Sequence, residues 1–258
     1  MKENKKNKKK IIIANMKMNG SLSFNESYLT DVKKNLNTFK NLKIGLCVPY
    51  PYLFQARKIL THTKIKWGSQ NVAKFENGPH TGEVSAAMLK EFDSEYVIVG
   101  HSERSTAYCE SDENIANKFE KIKKYNMTPV LCVGETLIER EAGIMERVVS
   151  SQIEIIIETY GAQIFENSII AYEPIWAIGS DTAATPNQAD KMCIFIMDFI
   201  CKKHKCDFKN FNIIYGGSVN SKNAVQLFAS ESIDGVLIGR SSINFDEFSH
   251  ICSAAENS

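Results

Sequence analysis

A cation, an imidazole and a carboxylate each follow a short apolar run in the sequence. Asn15 and Lys17 accompany the run IIIANM, His101 opens the segment HSER after YVIVG, and Glu173 ends SIIAYE. A carboxylate that is held in place and partly desolvated can remove a proton from a carbon beside a carbonyl group. A neutral imidazole and an ammonium can stabilise the charge that develops on the oxygens of an enediolate. These side chains therefore indicate proton transfer beside a carbonyl, with no metal or organic cofactor.

Two glycine-containing turns, YGGSV at 215–219 and IGRSS at 238–242, follow later apolar runs. Backbone N–H groups at such turns, or at the start of a helix, are suited to bind a phosphate. In α/β barrels a phosphate site often lies in the loops after the seventh and eighth strands. The two turns therefore predict a phosphate-bearing substrate.

Each of these features also has a purely structural interpretation. A lone Lys after a strand is most often a solvated charge, and a His beside Ser, Glu and Arg is more often structural than catalytic. A Glu at the end of a strand can cap the next turn, and YGGS can be a tight turn that uses the conformational freedom of glycine. Only their placement on one rim of a barrel favours a site.

Eight short runs rich in Ile, Val and Leu are predicted to be strands. Several are apolar throughout, as expected for strands that are buried on both faces. They lie at 11–16, 44–48, 65–70, 96–100, 129–133, 168–173, 212–216 and 234–238.

Segments with helical spacing of apolar residues alternate with these runs. The clearest is 187–204, where Met192, Ile196, Phe199 and Ile200 fall on one face and basic residues close the last turn. A connection at 85–91 is short. The other predicted helices are 25–39, 51–61, 113–125, 141–160, 221–229 and 245–252.

Eight alternations over one chain of 258 residues predict a single closed (β/α)₈ barrel that spans residues 11–258. A doubly wound open sheet is the alternative, and it is disfavoured because no Gly-x-Gly-x-x-Gly follows the first run. In a barrel the loops after the strands share the C-terminal rim, so Lys17, His101 and Glu173 should converge there.

Composition excludes several other classes of protein. Residues 1–10 hold six Lys and one Glu, about +5, which leaves about −4 for the remainder of a chain whose net charge is +1. We expect a disordered Lys-rich tail, no binding of nucleic acid and, in the absence of a long apolar run, no membrane span. Seven Cys without a Cys-x-x-Cys pair predict free thiols in a reducing compartment, the cytoplasm, and no metal site.

Six motifs together resemble the triosephosphate isomerase family over residues 11–252. They are ANMKMNG, VGHSER, PVLCVGET, AYEPIWAIG, YGGSV and GVLIGRSS, in this order. The resemblance implies interconversion of glyceraldehyde 3-phosphate and dihydroxyacetone phosphate through an enediolate, in glycolysis and gluconeogenesis. It implies no cofactor.

The resemblance also implies roles for single residues. Glu173 is expected to be the catalytic base, His101 the neutral electrophile and Lys17 the ammonium that attracts and stabilises the anionic substrate. Asn15 is expected to contact the substrate nearby, and Ser102 and Glu103 to support this rim. Backbone donors to the phosphate are expected at Gly179, Ser218, Gly239 and Arg240.

Two loops have implied roles in the family. Residues 174–185 resemble a mobile lid, in which Asp181 and Thr182 replace the usual Gly and Lys. Residues 71–89 resemble a loop that projects into a partner subunit, with Thr81 near the partner's site, so a homodimer is expected. Arg240 replaces a common Gly, and its guanidinium is a candidate for additional attraction of the phosphate.

Other functions are considered on the same residues. A barrel that binds a phosphate ligand without turnover is disfavoured because Lys17, His101 and Glu173 are all present. An aldolase or synthase barrel is a further alternative. A Schiff-base aldolase requires a desolvated Lys on an inner strand, whereas Lys17 lies just after the first strand.

Overall fold

Eight parallel strands form one closed barrel in a computed structural model, which describes residues 8–179, 184–203 and 210–258. Each strand pairs with its neighbour in sequence, and β8 closes on β1. The strands are β1 Lys10–Asn15, β2 Leu42–Val48, β3 Lys66–Ser69, β4 Tyr96–Val99, β5 Thr128–Val133, β6 Ile169–Tyr172, β7 Asn212–Tyr215 and β8 Gly235–Ile238. The prediction of a single (β/α)₈ barrel is confirmed.

Helices surround the barrel and follow the predicted alternation. They are α1 Leu22–Leu36, α2 Leu53–Leu60, α3 Ala86–Glu91, α4 Ser102–Tyr108, α5 Asp112–Lys124, α6 Leu137–Glu141, α7 Met145–Tyr160, α8 Pro186–Lys203, α9 Ser221–Phe228 and α10 Phe245–Glu256. The connection at 85–91 is the short helix α3. The sequence did not predict α4 and α6 as separate helices.

Apolar side chains fill two concentric layers. Inside the barrel, residues from seven of the strands pack on one another, as expected for a filled barrel rather than a pore. These are Ile11, Ile13, Cys47, Tyr96, Ile98, Val130, Cys132, Ile169, Ala171, Ile214 and Leu237. The alternate strand residues face outward and pack against the helices. This arrangement makes the strand ends a rigid rim for the loops that follow.

The N-terminal segment enters the barrel at Lys10, one residue before the predicted boundary, since Lys10 is the first residue of β1. Lys8 Nζ lies 2.9 Å from Asp234 Oδ1, and Lys10 Nζ donates to the carbonyl of Ile233 at 2.8 Å. Residues 1–7 of the predicted tail lie outside the described part of the chain. The tail therefore stays a prediction for those residues.

Within the described ranges, no helix is long and apolar enough to cross a membrane. The same ranges contain no cluster of three or more His, Cys, Asp and Glu side chains with the arrangement of a metal site. The six described Cys are free thiols, and Cys206 lies among the residues that are not described.

Candidate active site

Asn15 and Lys17 begin the C-terminal rim at the end of β1. Lys17 has a left-handed backbone with φ 51°, which is uncommon for a residue with a side chain. Its N–H donates to Asn15 Oδ1 at 3.0 Å, and Asn15 is buried. The buried amide therefore holds the turn that directs Lys17 over the barrel mouth.

His101 stands at the end of β4 and caps the N-terminus of α4. Its Nδ1 accepts a hydrogen bond from the backbone N–H of Glu103 at 3.2 Å. A ring nitrogen that accepts an N–H carries no proton, so this contact selects a neutral imidazole with its proton on Nε2. His101 is therefore arranged as a neutral hydrogen-bond donor.

Glu173 ends β6 and is almost completely buried, with 2% of its surface exposed. Its Oε1 lies 3.3 Å from His101 Nε2, and its Oε2 lies 3.5 Å from the backbone nitrogen of Ser102. Burial raises the pKa of Glu173, and this effect exceeds the opposing attractions of His101, the Ser102 N–H, the Cys132 thiol and Lys17. A raised pKa makes this carboxylate a stronger base than an exposed one.

Two glycines leave room for these side chains. A Cβ at Gly216 would lie 2.7 Å from Glu173 Cγ, and a Cβ at Gly239 would lie 3.0 Å from Lys17 Cε. Side chains at either position would displace the base or the ammonium. Glycines in these turns were predicted from the sequence to serve the phosphate, whereas their second role, making space for Glu173 and Lys17, depends on tertiary packing.

Unpaired backbone donors surround the same mouth. Among the described residues, the N–H groups of Gly179, Ser218, Gly239 and Arg240 donate no hydrogen bond to the protein. Arg240 opens a short 3₁₀ turn, where the first N–H groups have no partner within the turn. The Arg240 guanidinium donates through Nη2 to the carbonyl of Gly179 at 2.8 Å, so it connects the last turn to the predicted lid segment.

One cavity brings these residues together. This front cavity has a volume of about 620 Å³, and Asn15, Lys17, His101, Glu173 and the four proposed phosphate donors all line it. Glu103 also lines it, and its carboxylate forms an ion pair with Lys17 Nζ. Ser102 lies behind Glu173 and contacts it through its backbone. The predicted site residues thus converge on one rim, apart from Thr81.

Thr81 is exposed on the loop 71–89 and does not line the front cavity. The predicted lid is described up to Gly179 and again from Ala184. Asp181 and Thr182, the two predicted departures in the lid, lie outside the described residues.

Glu135 is a site residue that the sequence analysis missed. Its Oε1 accepts hydrogen bonds from Trp176 Nε1 at 2.9 Å, from Arg140 Nη1 at 3.0 Å and from the Tyr172 hydroxyl at 3.1 Å. Its backbone carbonyl accepts the Ile175 N–H at 2.9 Å. This buried carboxylate thus anchors the turn that follows Glu173. The motif PVLCVGET contained the signal, an acid directly after the fifth strand.

Cys132 is the second missed contact, because its sequence context indicated only a small core residue. Its thiol lowers the pKa of the Glu173 carboxylate, an effect smaller than that of burial. Burial, and then the charge of Glu173, raise the pKa of this thiol, so it remains protonated. Cys132 is therefore a neutral thiol in the surroundings of this carboxylate.

The fold and site together define a (β/α)₈-barrel enzyme with a buried carboxylate and a neutral imidazole at its C-terminal rim. The family model for triosephosphate isomerase matches residues 10–255. A triosephosphate isomerase of Nitrosomonas eutropha is 43% identical over 246 residues, which is 95% of this chain and 98% of that protein.

Further relatives carry the same name. Triosephosphate isomerase of Thiobacillus denitrificans is 42% identical over 248 residues, 96% of this chain and 99% of its own. That of Escherichia coli is 43% identical over 246 residues, 95% and 96% of the two chains. The chain belongs to the triosephosphate isomerase family.

Proposed function

We propose that this enzyme interconverts D-glyceraldehyde 3-phosphate and dihydroxyacetone phosphate. The observation that carries the proposal is the 3.3 Å contact between Glu173 Oε1 and a neutral His101 Nε2, at the wall of a cavity that also holds Lys17 and unpaired backbone donors. Family membership supports the same reaction. No feature favours the alternative of a barrel that binds phosphate without turnover.

Glu173 removes a proton from the substrate carbon beside the carbonyl and holds it as a carboxylic acid. The electron pair of the broken C–H bond forms the enediolate, and the proton returns to the neighbouring carbon. His101 donates its Nε2–H to the oxygen on which charge develops, while Lys17 contributes positive charge. Both groups stand in place before substrate binds, so little reorganisation is required in the transition state.

The phosphate binds to the backbone N–H groups of Gly179, Ser218, Gly239 and Arg240. Asn15 positions Lys17 and contacts the substrate, while Ser102 and Glu103 support Glu173, His101 and Lys17 from behind. The segment 174–185 acts as a lid over the phosphate. Exclusion of water would strengthen the electrostatic interactions in the site and protect the enediolate from losing phosphate.

A homodimer is the second part of the proposal. The loop 71–89 is closed at its base by the Ala73 N–H donating to the carbonyl of Val84 at 2.8 Å, and Phe75 stacks on His80 with ring centroids 3.7 Å apart. The loop is thus a preformed projection with Thr81 exposed. A second groove of about 310 Å³ is lined in part by Lys17 and His101, and the same loop of a partner subunit could bind in it. A symmetric dimer satisfies both surfaces at once.

The cytoplasm is the proposed location, since the six described Cys are free and a glycolytic role requires access to triose phosphates.

The experiment that tests the reaction supplies glyceraldehyde 3-phosphate and follows dihydroxyacetone phosphate through an NADH-coupled reductase. We expect fast turnover by the wild type and a loss to background in Glu173→Gln. Glu158→Gln, an exposed acid on α7, is the matched control and should retain full turnover. Absence of turnover in a folded protein that binds inorganic phosphate would favour the binding alternative. Turnover by Glu173→Gln at the wild-type rate would exclude Glu173 as the base.

A further inference from the structure

A second, smaller cavity lies between the barrel wall and the helices α4, α5 and α7. This rear cavity has a volume of about 60 Å³. Its walls include Ser102, Ser105, Asp112, Gln152 and Glu173. The volume is sufficient for a few water molecules, since one water needs roughly 10–15 Å³ of such space.

Glu173 is the one described residue that lines both the front and the rear cavity. Its two carboxylate oxygens face different walls. Oε1 lies 3.3 Å from Nε2 of His101, which lines the front cavity, and Oε2 lies 3.5 Å from the nitrogen of Ser102, which lines the rear cavity. The carboxylate therefore forms part of the partition between the two spaces.

Polar groups without protein partners line the rear cavity. Within the described residues, the hydroxyls of Ser102 and Ser105 and the carboxylate of Asp112 make no hydrogen bond to the protein. Buried water typically requires two to four such partners. Ser105 is exposed and Asp112 is half-buried, so the outer end of the cavity meets solvent. Its inner end is fixed, because Gln152 accepts the Gly134 N–H at 2.9 Å and donates to the Gly134 carbonyl at 3.1 Å.

We propose that the rear cavity is a water-filled passage through which the proton on Glu173 exchanges with solvent while substrate occupies the front cavity. The passage rests on the proposed function. The Glu173 O–H gives its proton to a water of the passage, and a solvent proton returns to the carboxylate. Carboxylic acid and water are thereby regenerated, and only the origin of the proton differs. Asp112 relays protons at the outer end.

The acid–base properties of the two carboxyls agree with this exchange. Burial raises the pKa of Asp112, and the neighbouring charge of Glu113 raises it further. Both Asp112 and Glu173 therefore hold a proton at higher pH than an ordinary carboxyl does. Substrate displaces water from the front cavity. Water then contacts Glu173 only from the rear cavity.

The test measures isotope retention in D₂O. Dihydroxyacetone phosphate that carries ¹H at carbon 1 is converted to glyceraldehyde 3-phosphate, which a dehydrogenase traps irreversibly. The ¹H (protium) at carbon 2 of the product is then measured by NMR. Protium at this position is the substrate's own proton, returned before it exchanged. Ser105→Leu obstructs the outer end, and Asp112→Asn removes the relay with little change in size.

We expect the retained protium to rise about threefold or more in both variants, while turnover stays within about twofold, because the base itself is unchanged. Ala107→Leu and Glu120→Gln are matched controls on the same helices, and neither residue lines the cavity. They should retain as little protium as the wild type. If both passage variants are folded by circular dichroism and retain no more protium than the wild type, the proposal of a passage is overturned, while the proposed function stands. A wild type without turnover would overturn the proposed function and the passage together.

Discussion

Burial of Glu173 creates a conflict between stability and function at a single residue. Its raised pKa means that the folded protein binds this proton more tightly than the unfolded chain does. The corresponding stability is present below the unfolded pKa and is lost as pH rises through the folded pKa. The charged form that the proposed mechanism needs is therefore the form that the fold disfavours.

Replacement of Glu173 by Gln should for this reason stabilise the fold at neutral and alkaline pH. We expect a higher Tm than wild type at pH 8, with the difference narrowing as pH falls toward the pKa of the unfolded side chain. Scanning calorimetry between pH 5 and pH 8 measures this. Exposed Glu158→Gln is the control and should show no such trend. A wild type that is more stable than Glu173→Gln at pH 8 would contradict the assigned effect of burial.

Arg240 is the second residue whose chemistry makes a testable difference. Its guanidinium is a cation at the proposed phosphate site, held by the Gly179 carbonyl. In Arg240→Gly we expect the KM for triose phosphate to rise by roughly threefold to tenfold, less than a buried charged hydrogen bond would give, because the group is exposed.

Arg240→Lys separates charge from geometry, since it keeps the positive charge but loses the planar fork. An intermediate KM is expected, and the effect of Arg240→Gly should weaken as salt is added. Steady-state kinetics at two ionic strengths measures both. No loss of affinity in Arg240→Gly would mean that Arg240 serves only through its backbone.

The turn Ile175–Ala177 is an element whose position depends on one buried carboxylate. Trp176 donates to Glu135, and the Arg140 guanidinium lies 4.9 Å from the centre of the indole ring. Trp176→Phe removes a hydrogen bond to a charged group and should cost about 1–3 kcal/mol of stability. We also expect kcat/KM to fall roughly tenfold, because the turn follows directly after Glu173, the proposed base, and small misplacements of a reacting group are costly.

The matched control is Trp67→Phe, which also removes one indole hydrogen bond, from Nε1 to the Phe92 carbonyl at 2.8 Å. Trp67 lies on β3, away from Glu173. Trp67→Phe should be less stable than the wild type, but its kcat/KM should fall much less than that of Trp176→Phe. Equal kinetic effects in the two variants would show that general destabilisation, and not the anchoring of the turn, limits activity.

The same elements show what a sequence can predict here. All eight strands were found because apolar runs of buried parallel strands differ from the periodic pattern of the helices between them. Helices α4 and α6 were missed because seven and five residues give too little periodicity. The Thr136–Glu139 capping box was the available signal for α6.

The distances within the site could not be predicted from the sequence, for a different reason. The order of strands placed Lys17, His101 and Glu173 on one rim, but their separations depend on how the barrel closes and how each turn is held. The Glu103 N–H that fixes the His101 tautomer and the Glu135 cluster beneath Trp176 are tertiary contacts. Residue types therefore predicted the chemistry, whereas the packing determines the pKa of Glu173.

At the scale of the whole molecule, the proposed dimer would complete the surface beside the site. Met18 follows Lys17 directly, is 96% exposed and lines the second groove together with Tyr108. Burial of this apolar side chain against a partner would stabilise the proposed dimer. The loop 71–89 of a second copy is the proposed partner.

Met18→Asp should convert the dimer to a monomer, because a buried unpaired carboxylate is costly at an interface. We expect turnover to fall about tenfold or more, since loss of the partner loop exposes the rim and loosens Lys17. Sedimentation velocity gives the mass and the coupled assay gives turnover. The matched control is Val225→Asp, which places the same charge at a 63% exposed apolar residue on α9, and it should leave both unchanged. A wild type that sediments as a fully active monomer would contradict the dimer, and a dimeric Met18→Asp would place the interface elsewhere on the molecule.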